Sequence, residues 1–168
     1  VGDSSQSRFM IDRARLEAIV REAGAIALAS WPGDGHAPHV WEKTPGDPVS
    51  EIDLAVDAFL KRELNALRPA AGWLSEETVD APGRMEDGLL WLVDPIDGTR
   101  DYVRGRRGWA VSVALVSSGR PLFGMLSAPA QCQETGGQFW HGEAGKGSWR
   151  NGERLIASAS ASGLLGAA

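Results

Sequence analysis

An apolar run that stops at an acidic turn constrains this chain more than any other feature. Residues 89–93 read LLWLV, and the next six residues read DPIDGT. A continuous apolar run of this length, bounded by turn residues, is typical of a strand that is buried on both faces. We therefore predict a central strand over 89–93 that leaves the sheet at Asp94, with the functional groups in the turn that follows.

The turn itself favours the convergence of oxygen ligands. Pro95 biases Asp94 towards extended geometry, and Gly98 permits a tight turn. The carboxylates of Asp94 and Asp97 and the hydroxyl of Thr99 can then converge on one point. Mg²⁺ prefers oxygen ligands and is usually held by one or two carboxylates together with substrate phosphate. The segment therefore predicts a Mg²⁺ site.

Two other interpretations of this turn are open. Asp, Pro and Gly are the commonest turn residues, so both aspartates can simply be solvated. The segment is also one residue away from the Asp-x-Asp-Gly-Thr motif of haloacid-dehalogenase-type phosphatases, in which an aspartate takes the phosphoryl group. The spacing argues against the second interpretation, because Asp94 and Asp97 are three residues apart and only a two-residue step returns both carboxylates to one side of an extended chain.

Further acids lie upstream. The segment GWLSEET, residues 72–78, is a short apolar stretch that ends at two adjacent acids, Glu76 and Glu77. Only one of the two can easily point inward. The segment DPVSEIDLAVDAFLKREL, residues 47–64, has apolar residues at helical spacing, with Asp53 in the first turn. Ser50 and Asp53 also resemble a capping pair, so helix capping and a functional role are both open for Asp53.

The remaining patterns predict an α+β fold in which two helices pack on one face of a mainly antiparallel sheet. The first helix covers Arg13 to Leu28 and is capped by Asp12. A short helix is possible from Thr99 to Tyr102. Further strands are predicted over residues 109–116, 121–128, 138–141 and 154–157, with Asn151-Gly152 as a hairpin signal before the last one. The strand over 109–116 should bury Trp109 and the other large side chains on one face.

A Pro- and Gly-rich stretch from Trp31 to Pro48 separates the two helices and is predicted to be a flexible surface loop. His36 and His39 lie in it, and His141 lies far downstream. The three histidines are too scattered to indicate a zinc site.

Charge and composition exclude several classes of protein. The formal net charge of −5 gives no support to nucleic-acid binding. No stretch of 18 apolar residues exists and the first residues lack a secretion-signal pattern, so we expect no membrane association and a cytoplasmic location. The single cysteine, Cys132, fits a reducing compartment and is interpreted as structural.

Four arginines follow the acidic turn, at positions 100, 104, 106 and 107. They can form a solvated basic loop or steer phosphate towards the turn, and the sequence leaves both roles open. Arg100, next to Thr99, is the best candidate for a phosphate contact.

Taken together, the segments resemble the inositol monophosphatase family from about Arg13 to the end of the chain. The resemblance rests on KTPGDPVSEID, GWLSEET, WLVDPIDGTRDYVRG, WAVSVALV and the GKGSWRNG segment at 145–152. It implies a layered α/β/α/β/α sandwich with the active site between its halves, of which this chain would form the N-terminal half. It also implies Mg²⁺-dependent phosphatase activity and a homodimer.

The resemblance assigns a role to each matching residue. The implied metal ligands are Glu76, Asp94, the main-chain carbonyl of Ile96, and Asp97. Asp53, Glu76 and Thr99 are the implied catalytic residues, with Thr99 and Asp53 orienting the attacking water. The implied substrate-binding residues are Asp97, Gly98 and Thr99, the last two through backbone N–H groups. Lys43 corresponds to a lysine in the family's mobile loop, and a solvated surface lysine is the alternative.

One departure from the family is evident. Members carry a further aspartate in a downstream Trp-Asp-x-Ala segment, whereas the later tryptophans here, Trp109, Trp140 and Trp149, precede Ala, His and Arg. We therefore expect residues 1–168 to be the N-terminal, metal-binding part of the fold, with the C-terminal part absent from this chain.

The resemblance implies Mg²⁺-dependent hydrolysis of a small phosphate monoester by metal-activated water, with inositol monophosphate as the leading substrate. Fructose 1,6-bisphosphate, histidinol phosphate and 3′-phosphoadenosine 5′-phosphate are alternatives because family relatives act on them. A contrasting class is a non-catalytic fragment that binds metal or a partner protein.

Overall fold

The computed structural model describes residues 11–33, 39–44, 47–78 and 88–157. Its helices are α1 (Arg13–Ala29), α2 (Glu51–Leu67) and α3 (Thr99–Val103). Its strands are β1 (Val40–Thr44), β2 (Asp47–Ser50), β3 (Gly72–Ser75), β4 (Leu89–Asp97), β5 (Ala110–Ser117), β6 (Arg120–Ala128), β7 (Gln138–Glu143), β8 (Gly147–Arg150) and β9 (Glu153–Leu155). No helix in these ranges is long and apolar enough to cross a membrane.

Both long helices begin where the sequence predicted. The Asp12 carboxylate accepts the backbone N–H of Arg15 at 3.0 Å and caps α1. Ser50 and Asp53 form a reciprocal capping box at the start of α2, so the predicted capping pair is confirmed. These caps supply acceptors for N–H groups that the first helical turn leaves unpaired.

Strands β3 to β9 form one sheet in sequence order, and β1 pairs separately with β2. Every neighbouring pair is antiparallel except β3 and β4, which run parallel. The predicted α+β class and the mainly antiparallel sheet are therefore confirmed. The parallel pair matters for function, because its two strands end at the same edge of the sheet.

The two long helices cover one face of the sheet. Their buried residues join the inward side chains of the strands, such as Trp91, Val113 and Leu115, in one hydrophobic core. In β5, the predicted large-residue face is the buried one. Trp109 immediately precedes β5 and is also buried.

The opposite face of the sheet carries Leu74, Leu92 and Leu126, which are 38%, 44% and 37% exposed. The prediction that residues 89–93 are buried on both faces is therefore wrong. Side chains alternate between the faces of a strand, and α1 and α2 cover only the face that holds Leu89, Trp91 and Val93. A continuous apolar run does not itself require a cover on both sides.

The prediction that the strand leaves the sheet at Asp94 is also wrong, since β4 continues to Asp97. Asp94 pairs with Ser112 and Asp97 with Ala110, so β4 carries one extra residue between the two pairs. This bulge-like irregularity accommodates Pro95, which has no N–H to donate to a regular ladder.

The predicted loop between the long helices contains a two-stranded ladder, in which Val40 pairs with Ser50. His39 precedes β1 and is exposed, whereas His36 lies outside the described residues. The prolines and glycines on either side of Val40 and Trp41 obscured the strand pattern. The predicted hairpin at Asn151-Gly152 is confirmed, because both residues have positive φ, 48° and 85°, and join β8 to β9.

Candidate metal centre

The parallel pairing of β3 and β4 brings Glu76 beside Asp94. Ser75 pairs with Val93, and the Glu76 N–H donates to the Val93 carbonyl at 3.2 Å. The side chain of Glu76 is exposed and that of Asp94 is half-buried. Both line a depression of about 380 Å³ at the open face of the sheet. Two acids from separate segments therefore share one concave space, as the sequence predicted for two strand ends.

Asp94 has an unfavourable electrostatic environment. Its pKa is raised from 3.8 to about 7. Burial is the largest cause, and the negative charge of Glu76, a hydrogen bond with the Glu76 carboxyl, and the charges of Asp97 and Asp53 act in the same direction. Asp94 Oδ1 is buried and has no hydrogen-bond partner among the described residues. Three other carboxyl groups therefore disfavour the charged form of Asp94, and its buried Oδ1 lacks a donor among the described residues.

The turn after β4 depends on Gly98. Its φ of +90° lies in the left-handed region, and a Cβ at this position would collide with the Gly108 carbonyl oxygen. The Gly98 carbonyl accepts the N–H groups of Asp101 and Tyr102 at 2.9 and 3.0 Å, and these bonds start α3. Only glycine fits both the backbone conformation and the space. The exposed Asp97 is thereby presented at the start of the turn.

Thr99 joins this turn to α2. Its hydroxyl oxygen lies 3.1 Å from Asp53 Oδ1 and 2.9 Å from the Ile96 carbonyl oxygen. A hydroxyl has one proton and can donate to only one of these acceptors at a time. The Ile96 carbonyl, one of the implied metal ligands, therefore lies within reach of the same side chain.

Asp53 is 1% exposed and uses its two oxygens differently. Its Oδ2 accepts the Ser50 N–H at 2.9 Å and the Ser50 hydroxyl. Its Oδ1 faces Thr99. Helix capping and participation in the site, which the sequence left as alternatives for Asp53, are compatible in this geometry.

The donor set fits a hard divalent cation. Carboxylate and carbonyl oxygens suit Mg²⁺, and a cation here would satisfy Asp94 Oδ1 and offset the repulsion between the acids. Within the described ranges, however, no three Asp, Glu, His or Cys side chains form a group that could hold an ion as they stand. Because the Glu76 carboxyl already hydrogen-bonds to Asp94, ligation by three carboxylates would require the exposed side chain of Asp97 to rotate towards this pair.

Arg100 lies in α3, and the other three arginines follow that helix. The side chains at positions 100, 104, 106 and 107 are all exposed. Arg106 lies 3.5 Å from a carboxylate oxygen of Asp101. Phosphate steering by Arg100 and the others stays a prediction. Lys43 lies in β1, and its role also stays a prediction.

Cys132 and His141 lie outside the site. Cys132 Sγ accepts the Gln138 side-chain amide at 3.2 Å, which agrees with a structural interpretation. His141 in β7 stacks on Trp149 with ring centroids 4.9 Å apart.

Asp57 was not predicted as a site residue. It is buried in α2 and accepts hydrogen bonds from Ser75 and Thr78, which lie on either side of Glu76. A signal was available. Asp57 lies four residues after Asp53 and beside Val56 on the apolar stripe, where an acid is rarely buried unless it is paired.

The sequence model that describes the inositol monophosphatase family matches residues 10–165 of this chain. A fructose-1,6-bisphosphatase/inositol-1-monophosphatase of Thermotoga maritima is 32% identical over 145 residues, which cover 86% of this chain and 52% of that protein. A protein of Streptomyces griseus named glucose-1-phosphate thymidylyltransferase is 37% identical over 131 residues, which cover 77% of this chain and 48% of that protein. Histidinol-phosphatases and 3′(2′),5′-bisphosphate nucleotidases also occur among the relatives.

Among solved structures, the extragenic suppressor protein suhB of Bartonella henselae superposes with a TM-score of 0.77 at 28% identity. The superposition covers 88% of this chain and 54% of that one. The chain thus spans about half the length of the relatives that it matches.

Proposed function

Because this chain belongs to the inositol monophosphatase family, we propose that it forms the metal-binding part of a Mg²⁺-dependent hydrolase of small phosphate monoesters. The observation that best supports this proposal is the environment of Asp94. Its pKa is raised to about 7 by burial and by three other acids, and its buried Oδ1 lacks a donor among the described residues. An arrangement this unfavourable for an anion is expected where a cation binds.

In this proposal Mg²⁺ is held by oxygen atoms of four residues. They are the carboxylates of Glu76, Asp94 and Asp97 and the main-chain carbonyl of Ile96. When bound, the metal would supply Lewis-acid chemistry, which makes water acidic enough to attack near neutral pH and neutralises phosphate charge.

Thr99 and Asp53 would orient the attacking water. When the Thr99 hydroxyl donates to Asp53 Oδ1, its oxygen lone pairs are free to accept a hydrogen bond from water. Asp53 can then receive the proton that Thr99 passes on. Because Ser50 holds Asp53 Oδ2 through two hydrogen bonds, Asp53 Oδ1 stays directed at Thr99.

Phosphate binding is assigned to Asp97, Gly98 and Thr99. The backbone N–H groups of Gly98 and Thr99 would donate to phosphate oxygens, and Asp97 would contribute as one of the proposed metal ligands. Arg100 is the nearest candidate in sequence for a further phosphate contact.

We propose inositol monophosphate as the substrate. The name of the Thermotoga maritima relative, which includes inositol-1-monophosphatase, supports this choice. Fructose 1,6-bisphosphate, histidinol phosphate and 3′-phosphoadenosine 5′-phosphate are the alternatives. Phosphate release measured over all four compounds, with kcat/KM for each, tests the choice, and a higher kcat/KM for any alternative would replace inositol monophosphate.

Metal dependence tests the reaction class. Excess chelator should abolish phosphate release and added Mg²⁺ should restore it. Release that persists in chelator would reject the metal mechanism. Binding of Mg²⁺ without hydrolysis of any compound in the panel would instead favour the non-catalytic class, a fragment that binds metal or a partner protein.

Two further properties complete the proposal. The family resemblance supports a homodimer, which sedimentation equilibrium would test. The single cysteine supports a cytoplasmic location, which fractionation of the source cells would test. The proposed partner is a small phosphorylated metabolite, with no role for nucleic acid or membrane.

A further inference from the structure

Asp57 is a buried acid that the proposed mechanism does not use. Its side chain lies in α2 and the residue is 2% exposed. Thr78 Oγ1 donates to Asp57 Oδ2 at 2.7 Å, and the Ser75 hydroxyl donates to Asp57 Oδ1. Each carboxylate oxygen therefore has its own hydroxyl donor.

The two donors enclose the segment that carries Glu76. Within this segment the Ser75 N–H donates to the Thr78 carbonyl at 3.0 Å, and the Glu77 N–H donates to Ser75 Oγ at 3.2 Å. Trp73 Nε1 donates to Thr78 Oγ1 at 3.0 Å. The Thr78 hydroxyl thus accepts from Trp73 and has its own proton available for Asp57. These bonds close the chain into a tight turn with Glu76 at its exposed corner.

A buried carboxylate is a costly way to hold a turn. Removing the charge from water carries a large penalty, which two hydroxyl donors only partly offset. A charged acceptor nevertheless forms shorter and stronger hydrogen bonds than a neutral one. It therefore fixes the turn more rigidly than a neutral side chain of the same shape would.

The position of Asp57 on α2 adds a second argument. It lies four residues after Asp53, so both acids project from the same side of the helix. Asp53 contacts Thr99, and Asp57 holds the turn that contains Glu76. One rigid helix therefore sets the relative position of two separate parts of the candidate metal centre.

We propose that Asp57 is a positioning residue that holds the Glu76 turn in place for cation binding opposite Asp94. This inference rests on the proposed Mg²⁺ site. Asp57 itself does not contact the cation or the substrate. Its effect is transmitted through Ser75 and Thr78, in the way that outer hydrogen-bond partners orient the ligands of other metal sites.

The test compares Mg²⁺ binding by four forms of the 168-residue chain, measured by isothermal titration calorimetry at a temperature where all are folded. Asp57→Asn keeps the shape but removes the charge, and Thr78→Val removes one donor with little change in volume. Leu64→Ala is the matched control, because Leu64 is buried in the same helix two turns further on. We expect the Mg²⁺ dissociation constant to rise about tenfold or more in Asp57→Asn, to rise by less in Thr78→Val, and to stay unchanged in Leu64→Ala.

A kinetic comparison separates positioning from general destabilisation. Where the wild-type chain releases phosphate, Asp57→Asn should need more Mg²⁺ for half-maximal activity but recover most of kcat at saturating Mg²⁺. If Asp57→Asn does not fold, Thr78→Val decides the question through the same titration.

Each outcome of the titration bears on a definite claim. Wild-type affinity in Asp57→Asn, or in Thr78→Val where that variant decides, would overturn the role of Asp57 and leave the proposed Mg²⁺ site intact. An equal loss in Leu64→Ala would show that any weakening of the core has this effect, which also overturns the role. Failure of the wild-type chain to bind Mg²⁺ would overturn both the site and the inference.

Discussion

The Thr99 hydroxyl oxygen lies 3.1 Å from Asp53 Oδ1, although 46 positions separate the two residues in the chain. The other oxygen of Asp53 accepts the Ser50 N–H at the start of α2. One buried carboxylate thus supports both a helix terminus and the candidate metal centre. Substitutions of its two neighbours should therefore have different effects.

Thr99→Val should lower turnover about a hundredfold while leaving α2 capped, because it removes the hydroxyl that would orient water. Ser50→Ala should instead lower the free energy of unfolding by about 1 kcal/mol through loss of the cap, with the smaller effect on turnover. Phosphate release and urea unfolding, measured on both variants, check the prediction. Equal turnover in the two variants would contradict it.

Asp94→Asn should lower turnover by at least about a hundredfold, because it removes a proposed ligand from the most crowded point of the site. Asp12→Asn is the control, since Asp12 caps α1 and asparagine caps helices about as well as aspartate. Steady-state phosphate release at saturating Mg²⁺ measures both. Normal turnover in Asp94→Asn would reject the ligand assignment.

The same substitution should stabilise the metal-free protein at alkaline pH. The folded-state pKa of Asp94, about 7, exceeds the ordinary value of 3.8, so the stability that this group contributes is full below about pH 4 and is lost as the pH rises through 7. Asparagine does not ionise. The free energy of unfolding of Asp94→Asn, relative to that of the wild type, should therefore be higher at pH 8 than at pH 4, by about 1–2 kcal/mol after allowance for solvent screening.

Urea unfolding in chelator at the two pH values measures this difference. Mg²⁺ at pH 8 should reduce the difference in free energy of unfolding between the variant and the wild type, because it would stabilise only the protein that retains the carboxylate. If this difference depends on neither pH nor Mg²⁺, the surroundings of Asp94 do not disfavour its charged form.

Gly98→Ala should destabilise the protein more than Gly119→Ala does. Both glycines have positive φ, 90° and 76°, so either substitution costs about 1–2 kcal/mol of backbone strain. A Cβ at Gly119 meets nothing within 4 Å, whereas one at Gly98 collides with the Gly108 carbonyl. The collision should add about 1–3 kcal/mol, measured by urea unfolding, and equal losses in the two variants would refute this account.

Features that depend on neighbouring residues were predictable from the sequence. The Asp12 cap, the Ser50 capping pair, the alternation in β5 and the Asn151-Gly152 hairpin all arise from interactions within a few residues. Their patterns are therefore readable in one short segment. The proximity of Glu76 and Asp94 was also predictable, because each ends a recognisable apolar run, whereas their roles in a metal site stay a prediction.

Features that depend on distant packing were not predictable in the same way. Leu92 lies in an apolar run, and only the position of the helices shows which face of β4 is covered. The role of Asp57 depends on Ser75 and Thr78, which are 18 and 21 residues away. No local pattern encodes such a contact.

The parallel register of β3 and β4 has a consequence for assembly of the fold. The register places Glu76 beside Asp94, and a slip of one residue would turn the edge strand's side chains to the opposite face. Parallel pairing joins segments that are not adjacent in sequence and tends to form slowly. A cation that needs both carboxylates would therefore bind only chains in which β3 has paired with β4 in the correct register. Cation binding would then stabilise the correctly paired chains and not the mispaired ones.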